Sequence, residues 1–256
     1  MTTALVTGAS YGIGADLARA LAARGHDLVL VARSAGLLDA LAARLRRQHG
    51  VKVRVLRADL CEPDALEEVA GAARGVDIVV NNAGTAPREA YDATGWPDEG
   101  RLLTLHVTVP SRLIHAALPA MLDRGQGRIL TVSSVAALGP AWGQGTTYGA
   151  TKAYQLALTE SLAYASRVRA SPVALTALVL GHTTSRLHEV AGIPLPPKWL
   201  TLPSPFVAER AVAVIHRRRP PVVCVPGVRY KVLAPLLRHL PHRLLTLPRL
   251  ADDFTR

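Results

Sequence analysis

The sequence predicts an α/β fold: a doubly wound parallel sheet of about seven strands with helices on both faces. Three observations lead there. Short apolar runs recur at residues 4–6, 28–31, 51–56, 78–80, 129–132, 173–179 and 222–225, and the stretches between them carry helical periodicity, the rhythm of βαβ units. A glycine-rich turn, TGASYGIG at residues 7–14, lies between the first run and the first helix. The 256 residues, 49% of them hydrophobic, suffice for one large core, so residues 1–256 read as a single domain without internal repeats.

Along the chain, Leu17, Leu21 and Ala22 share one face of the first helix, which Gly25 can close. Leu37, Leu38, Leu41 and Leu45 form the stripe of the second, with Ser34 as candidate N-cap and Gly50 past its end. The uncharged run 129–151 has the length of a bilayer span, but Ser133, Ser134, Gly139, Pro140, Gly143, Gln144 and Gly145 make it a strand followed by a loop. Residues 182–205 mix Pro194, Pro196, Pro197, Pro203 and Pro205 with Ile193, Leu195, Trp199, Leu200 and Leu202, and read as an apolar substrate lid. Residues 228–256 read as a C-terminal basic amphipathic extension. Val232, Leu233, Leu236, Leu237 and Leu240 lie on one stripe, Lys231, Arg238 and His242 on the other side, and Pro235 and Pro241 kink it.

The net charge is +11, and residues 208–256 hold 10 Lys/Arg against 3 Asp/Glu, so +7 of it belongs to the tail. No helix-turn-helix, zinc or RNA-binding motif accompanies that charge, so no nucleic-acid partner is expected. The basic stripe suits packing on the protein's own body or peripheral contact with an anionic membrane. Cys61 and Cys224 are too few for a disulfide framework and lack paired metal-ligand spacing; with no basic leader over residues 1–10, a cytoplasmic protein without a metal is expected.

Gly8, Ser10, Tyr11, Gly12, Ile13 and Gly14 form a candidate phosphate cradle, because glycines let backbone N–H groups and a helix N-terminus approach a pyrophosphate. A tight turn is the plain alternative. At the tip of the second strand, where a carboxylate would receive the ribose hydroxyls of NAD, stands Arg33, with Ser34 beside it. Guanidinium pairs with a 2′-phosphate, so NADP(H) is expected; a solvated arginine is the alternative.

Tyr148 and Lys152 lie four apart at the start of a helix and therefore share a face. An ammonium beside a phenol stabilises phenolate, so the pair is expected to lower the phenol's pKa from about 10 and to act as an acid/base unit. Ser134, from the preceding strand, can hydrogen-bond the same substrate oxygen, with Ser133 the competing assignment.

These motifs together, TGASYGIG, ADL at 58–60, NNAG at 81–84, VSS at 132–134 and Y-x-x-x-K, resemble the short-chain dehydrogenase/reductase family in its compact single-domain branch, over about residues 3–184. The resemblance implies a Rossmann-type sheet. It also implies Asp59 and Leu60 beside an adenine, Asn82, Ala83 and Gly84 supporting the cofactor, and Lys152 holding the nicotinamide ribose. Gly181, Thr183 and Thr184 are implied as contacts of the cofactor's amide and phosphates, and the chain as a homodimer or homotetramer paired through long helices expected over about 102–121 and 148–167. Three positions depart from the pattern. His106 stands where members commonly carry an asparagine of the proton relay, and either relays or simply packs. Ser134 and Tyr148 are one residue further apart than expected. Leu180 replaces a proline.

The function expected is an NADP(H)-dependent oxidoreductase acting on the carbonyl or secondary alcohol of a small hydrophobic molecule, with Tyr148 as acid/base. The alternative is a nucleotide-binding regulator or scaffold that kept the fold and lost turnover.

Overall fold

The computed structural model describes residues 2–86, 89–139, 147–184 and 198–239. Seven parallel strands, β1 (Thr3–Thr7), β2 (Asp27–Ala32), β3 (Val53–Arg57), β4 (Ile78–Asn81), β5 (Arg128–Ser134), β6 (Ala174–Leu180) and β7 (Val223–Cys224), form one sheet. Their order is β3-β2-β1-β4-β5-β6-β7. The chain winds outward from β1 to β3, then crosses to β4 on the other flank of β1. At such a switch point the carboxyl ends of the strands border a crevice.

Helices cover both faces because strand side chains alternate. Val6, Leu30, Leu130 and Leu178 join α1 (Gly12–Ala22), α2 (Ala35–His49) and α8 (Ser204–Ile215) in one core, with Leu17, Leu38 and Val212 against them. Their neighbours Leu5, Val29 and Ile129, together with Leu175, join α3 (Pro63–Ala73) and α5 (Val109–Arg124) through Val69, Leu113 and Met121. Enclosing each such side chain contributes roughly 1.5–3 kcal/mol.

The stripe of α2 is Leu38, Leu41, Ala42 and Leu45; Leu37 faces solvent, and Ser34 holds the N-cap position without a side-chain bond to the helix. The helix expected over 102–121 is two helices joined by a widened turn: α4 (Trp96–Leu103), a π-turn (Thr104–Thr108), then α5. Pro110 has no N–H to give to the carbonyl four residues back, and the ladder opens there. The helix expected over 148–167 ends as α6 (Thr147–Ala163), and a single turn, α7 (Ser166–Arg169), follows.

In α9 (Val228–His239) the inward face is Tyr230, Ala234 and Leu237, spaced i, i+4, i+7, whereas Val228, Val232 and Leu236 are exposed. The tail therefore docks by a stripe rotated from the expected one. Leu240, Pro241, His242 and most of the lid, including Ile193 and Leu195, lie outside the described residues. Among the described residues no helix is long and apolar enough to cross a membrane.

Candidate active site

The glycine-rich turn leaves β1 at the crevice. Gly8 sits at φ 65, and a Cβ there would fall 2.9 Å from the Ala83 Cα; a Cβ on Gly14 would fall 2.2 Å from the Gly8 carbonyl oxygen. Side chains are excluded from the cradle by backbone on both sides. α1 opens at Gly12 with the half-exposed Tyr11 at the N-cap position and no side-chain cap, and Ser10 and Ile13 flank it half-buried. The first amides of a helix lack intrahelical partners and suit an anion.

The NNAG turn clamps this loop. Thr7 Oγ1 donates to the Val80 carbonyl (3.1 Å) and accepts the N–H groups of Asn82 and Ala83 (3.0 Å each). Asn82 Nδ2 donates to the carbonyls of Thr7 (2.9 Å) and Gly8 (3.3 Å). Gly84 lies against His106, whose Nε2 would be 2.7 Å from an added Cβ.

Arg33 and Ser34 are exposed just beyond β2. Beyond β3, Leu60 is buried, and the Asp59 carboxylate accepts from Arg101 of α4 (2.5 Å) and from the Cys61 N–H (3.1 Å). Burial pushes the Asp59 pKa up, but the Arg101 bond, with Arg33 nearby, leaves it below the usual carboxylate value. Arg101 was not singled out by the sequence; it offsets the Asp59 carboxylate near Arg33.

The carboxyl end of β5 brings Ser134 to Tyr148, and the two hydrogen-bond. Ser133, one residue earlier, is buried and donates to the Lys152 carbonyl (2.8 Å), so strand alternation assigns the tyrosine's partner to Ser134. Lys152 is buried with Nζ 5.7 Å from the centroid of the Tyr148 ring, and burial lowers its pKa to about 7. Its ammonium donates to the Val132 carbonyl (2.9 Å) and to Gln155 Oε1 (3.1 Å), which leaves one of its three N–H groups for a ligand oxygen.

The expectation of a lowered phenol pKa is not met. Burial pushes Tyr148 up, and its bond to Ser134 only partly offsets this. The phenol is held protonated, because desolvation outweighs its one opposing influence, the Ser134 bond, while the bonds of the Lys152 ammonium run to β5 and to Gln155.

His106 is fully buried in the π-turn. Its Nε2 accepts the Thr85 N–H (3.1 Å), so Nδ1 must carry the proton toward Thr151 Oγ1 (3.0 Å), which in turn donates to the Tyr148 carbonyl (2.8 Å). Burial, then the Lys152 charge, hold the imidazole well below its usual pKa. Both ring nitrogens are thus occupied by protein, and what links position 106 to the lysine is its main-chain carbonyl, which accepts Gln155 Nε2 (2.9 Å). Sequence reasoning missed Gln155 and Thr151, although Gln155 follows Lys152 by three residues on the same helix face. It also missed Glu99 of α4, a buried carboxylate that accepts from the Thr147 hydroxyl at the first turn of α6.

After β6, Gly181 is pressed against the Tyr230 ring, which an added Cβ would meet at 2.0 Å. The Tyr230 hydroxyl accepts the His182 N–H (2.9 Å) and donates to the Leu200 carbonyl (2.7 Å), tying together two segments that lie eighteen residues apart in the chain. Thr183 is buried with its hydroxyl on the Gly181 carbonyl (3.0 Å). Thr184 is exposed, and its N–H meets the Leu202 carbonyl (2.9 Å). Among the described residues no cluster of metal-ligating side chains occurs.

The family model described as short chain dehydrogenase matches residues 2–191. A fatty acyl-CoA reductase of Mycobacterium tuberculosis is 37% identical over 155 residues, which are 58% of this chain and 52% of that protein, so the chain spans about half the length of that relative. Two solved structures are similar over nearly the whole chain. One is a short-chain dehydrogenase from Sphingobium yanoikuyae in complex with NADPH, at TM-score 0.83 and 34% identity, covering 94% of this chain and 96% of that one. The other is a bulky-bulky ketone specific alcohol dehydrogenase from Comamonas testosteroni, at TM-score 0.79 and 30% identity, covering 99% and 93%.

Proposed function

The chain belongs to the short-chain dehydrogenase family, and from that premise we propose that it is an NADP(H)-dependent oxidoreductase interconverting a carbonyl and a secondary alcohol on a hydrophobic molecule, with Tyr148 as the acid/base. The observation that carries this reading is the joining of Ser134, Tyr148 and Lys152 at the carboxyl end of β5. The cradle of Gly8 and Gly14, closed by backbone where a Cβ would stand, with Gly12 at φ 56 between them, fits a dinucleotide pyrophosphate. A bound reduced nicotinamide supplies the hydride to the carbonyl carbon.

The chain's own residues do the rest. Tyr148, kept protonated by burial, holds the proton that the substrate oxygen takes up. Ser134 is placed to donate to the same oxygen as negative charge grows on it. The free N–H of Lys152 suits a ribose hydroxyl, and its positive charge offsets the phenolate left behind. Carbonyl, NADPH and a proton are consumed; alcohol and NADP+ are formed.

The similarity to an NADPH complex and the exposed Arg33 beyond β2 support the 2′-phosphate cofactor. The likeness to an alcohol dehydrogenase specific for bulky ketones, and the exposed Trp199 beside the lid's exit, support a hydrophobic substrate.

The test is NADPH oxidation, followed at the nicotinamide band, against a panel of bulky ketones and acyl thioesters. Arg33→Asp should reverse the preference for NADPH over NADH, since a charge-assisted pair to phosphate is worth about 1.5–3 kcal/mol. Tyr148→Phe should still bind NADPH but lose turnover. Equal affinity of the unmodified protein for the two cofactors would refute the NADP assignment, and a near-normal rate in Tyr148→Phe would refute the role of the phenol.

A further inference from the structure

We propose that Gln155 is a positioning residue of the reacting group: its carboxamide bridges the Lys152 ammonium to the main-chain carbonyl of His106 and so holds the ammonium beneath Tyr148. This rests on the reading of Tyr148 and Lys152 as the reacting pair.

Gln155 lies on α6 three residues after Lys152 and seven after Tyr148, on the face they share, and is buried. Its Oε1 accepts from Lys152 Nζ at 3.1 Å, and its Nε2 donates to the His106 carbonyl at 2.9 Å. The amide can face only one way, because an ammonium only donates and a carbonyl only accepts. The carbonyl reaches the bridge because its α-helical donor would be residue 110, a proline, and the helix widens into the π-turn there. Sequence and fold thus leave one acceptor open at His106, and α6 supplies a side chain of the right length to span from it to the lysine.

The bridge matters because little else stabilises the ammonium. β5 offers the Val132 carbonyl and the hydroxyls of Ser133 and Ser134, none of them charged. The titratable groups facing it are Tyr148 on its own helix and the His106 imidazole on the π-turn, which the hydrogen bonds of Thr85 and Thr151 fix as neutral. Gln155 is therefore the side-chain acceptor on Nζ among the described residues. Burial lowers Lys152 to about 7; losing that acceptor lowers it further, and a carboxylate in its place raises it.

The chain has four lysines, Lys52, Lys152, Lys198 and Lys231. Protein labelled with carbon-13 at lysine Cε therefore gives four side-chain signals, and the Lys152 signal is assigned by its loss in Lys152→Met. Without any cofactor, its titration midpoint should fall by about one pH unit in Gln155→Leu, the worth of one charge-assisted hydrogen bond. In the isosteric Gln155→Glu, which keeps the fold if the leucine variant does not, it should rise. The alkaline limb of kcat against pH should move with each midpoint. A Lys152 midpoint unchanged in both variants, or displaced in the same direction by both, overturns the proposal. Opposite displacements with an unmoved kcat profile uphold Gln155 as the holder of the ammonium and place the failure in the acid/base reading instead. A merely structural glutamine would lower rates without moving either titration.

Discussion

Replacing Lys152 with methionine should change how stability depends on pH. The ammonium is 5% exposed between β5 and α6, and burial brings its pKa from 10.5 to about 7. In the unfolded chain it titrates near its ordinary value of about 10.4. Below pH 7 both states carry the proton, and folding bears the full cost of burying the charge. Between 7 and about 10.5 the unfolded chain holds a proton that the folded protein has released, so stability rises with pH, at most by about 1.4 kcal/mol per unit. From pH 6 to pH 9 this one group should add roughly 2–3 kcal/mol. Urea unfolding of parent and Lys152→Met at pH 6, 7, 8 and 9 reads it as the difference between the two proteins. His26, whose pKa is also lowered, acts in both proteins and cancels; burial, the first cause of the His106 shift, also acts in both, and only the smaller part due to the Lys152 charge departs with the lysine. The parent should gain on the variant by that amount as pH rises, even though the variant has lost turnover. Parallel curves would refute the reasoning, since they would mean that the lysine is not a desolvated ammonium.

Two further outcomes follow from the hydrogen bonds around the site. Tyr230→Phe removes the hydroxyl that satisfies both the His182 N–H and the Leu200 carbonyl. At about 1–3 kcal/mol for each group left unpaired, the urea midpoint should fall by the equivalent of roughly 2–6 kcal/mol. Substrate KM should rise more than kcat falls, and an unchanged midpoint would deny Tyr230 its hold on His182 and Leu200. Ser134→Ala should cut kcat with little effect on stability, whereas Ser133→Ala should cost about 1 kcal/mol of stability through its lost bond to the Lys152 carbonyl and leave the chemistry intact. The reverse pattern would reassign the two serines.

What the sequence determined by itself was local and repeated. Apolar runs alternating with helical stripes dictated a parallel sheet, and the strands at 28–31 and 129–132 lie inside β2 and β5. The glycines of the first turn marked the cradle because only the absence of a Cβ permits the approach of Gly8 and Gly14 to their neighbours. Tyr148 and Lys152 were legible as a pair because a four-residue spacing shares a helix face wherever the helix lies.

Other features depend on what packs against what, and tertiary structure alone decided them. Ser133 and Ser134 are equivalent in sequence, and only the position of α6 against β5 turns one toward the Lys152 carbonyl and the other toward the tyrosine. The phenol's pKa moves up rather than down because enclosure, which no spacing encodes, outweighs the Ser134 hydrogen bond. His106 contributes its carbonyl rather than its ring because Pro110 opens the helix and Gln155, forty-five residues further on, is folded against the gap. On α9 several apolar stripes were available, and the fit of Tyr230 over Gly181 chose the one that docks, since a ring can rest there only where there is no side chain.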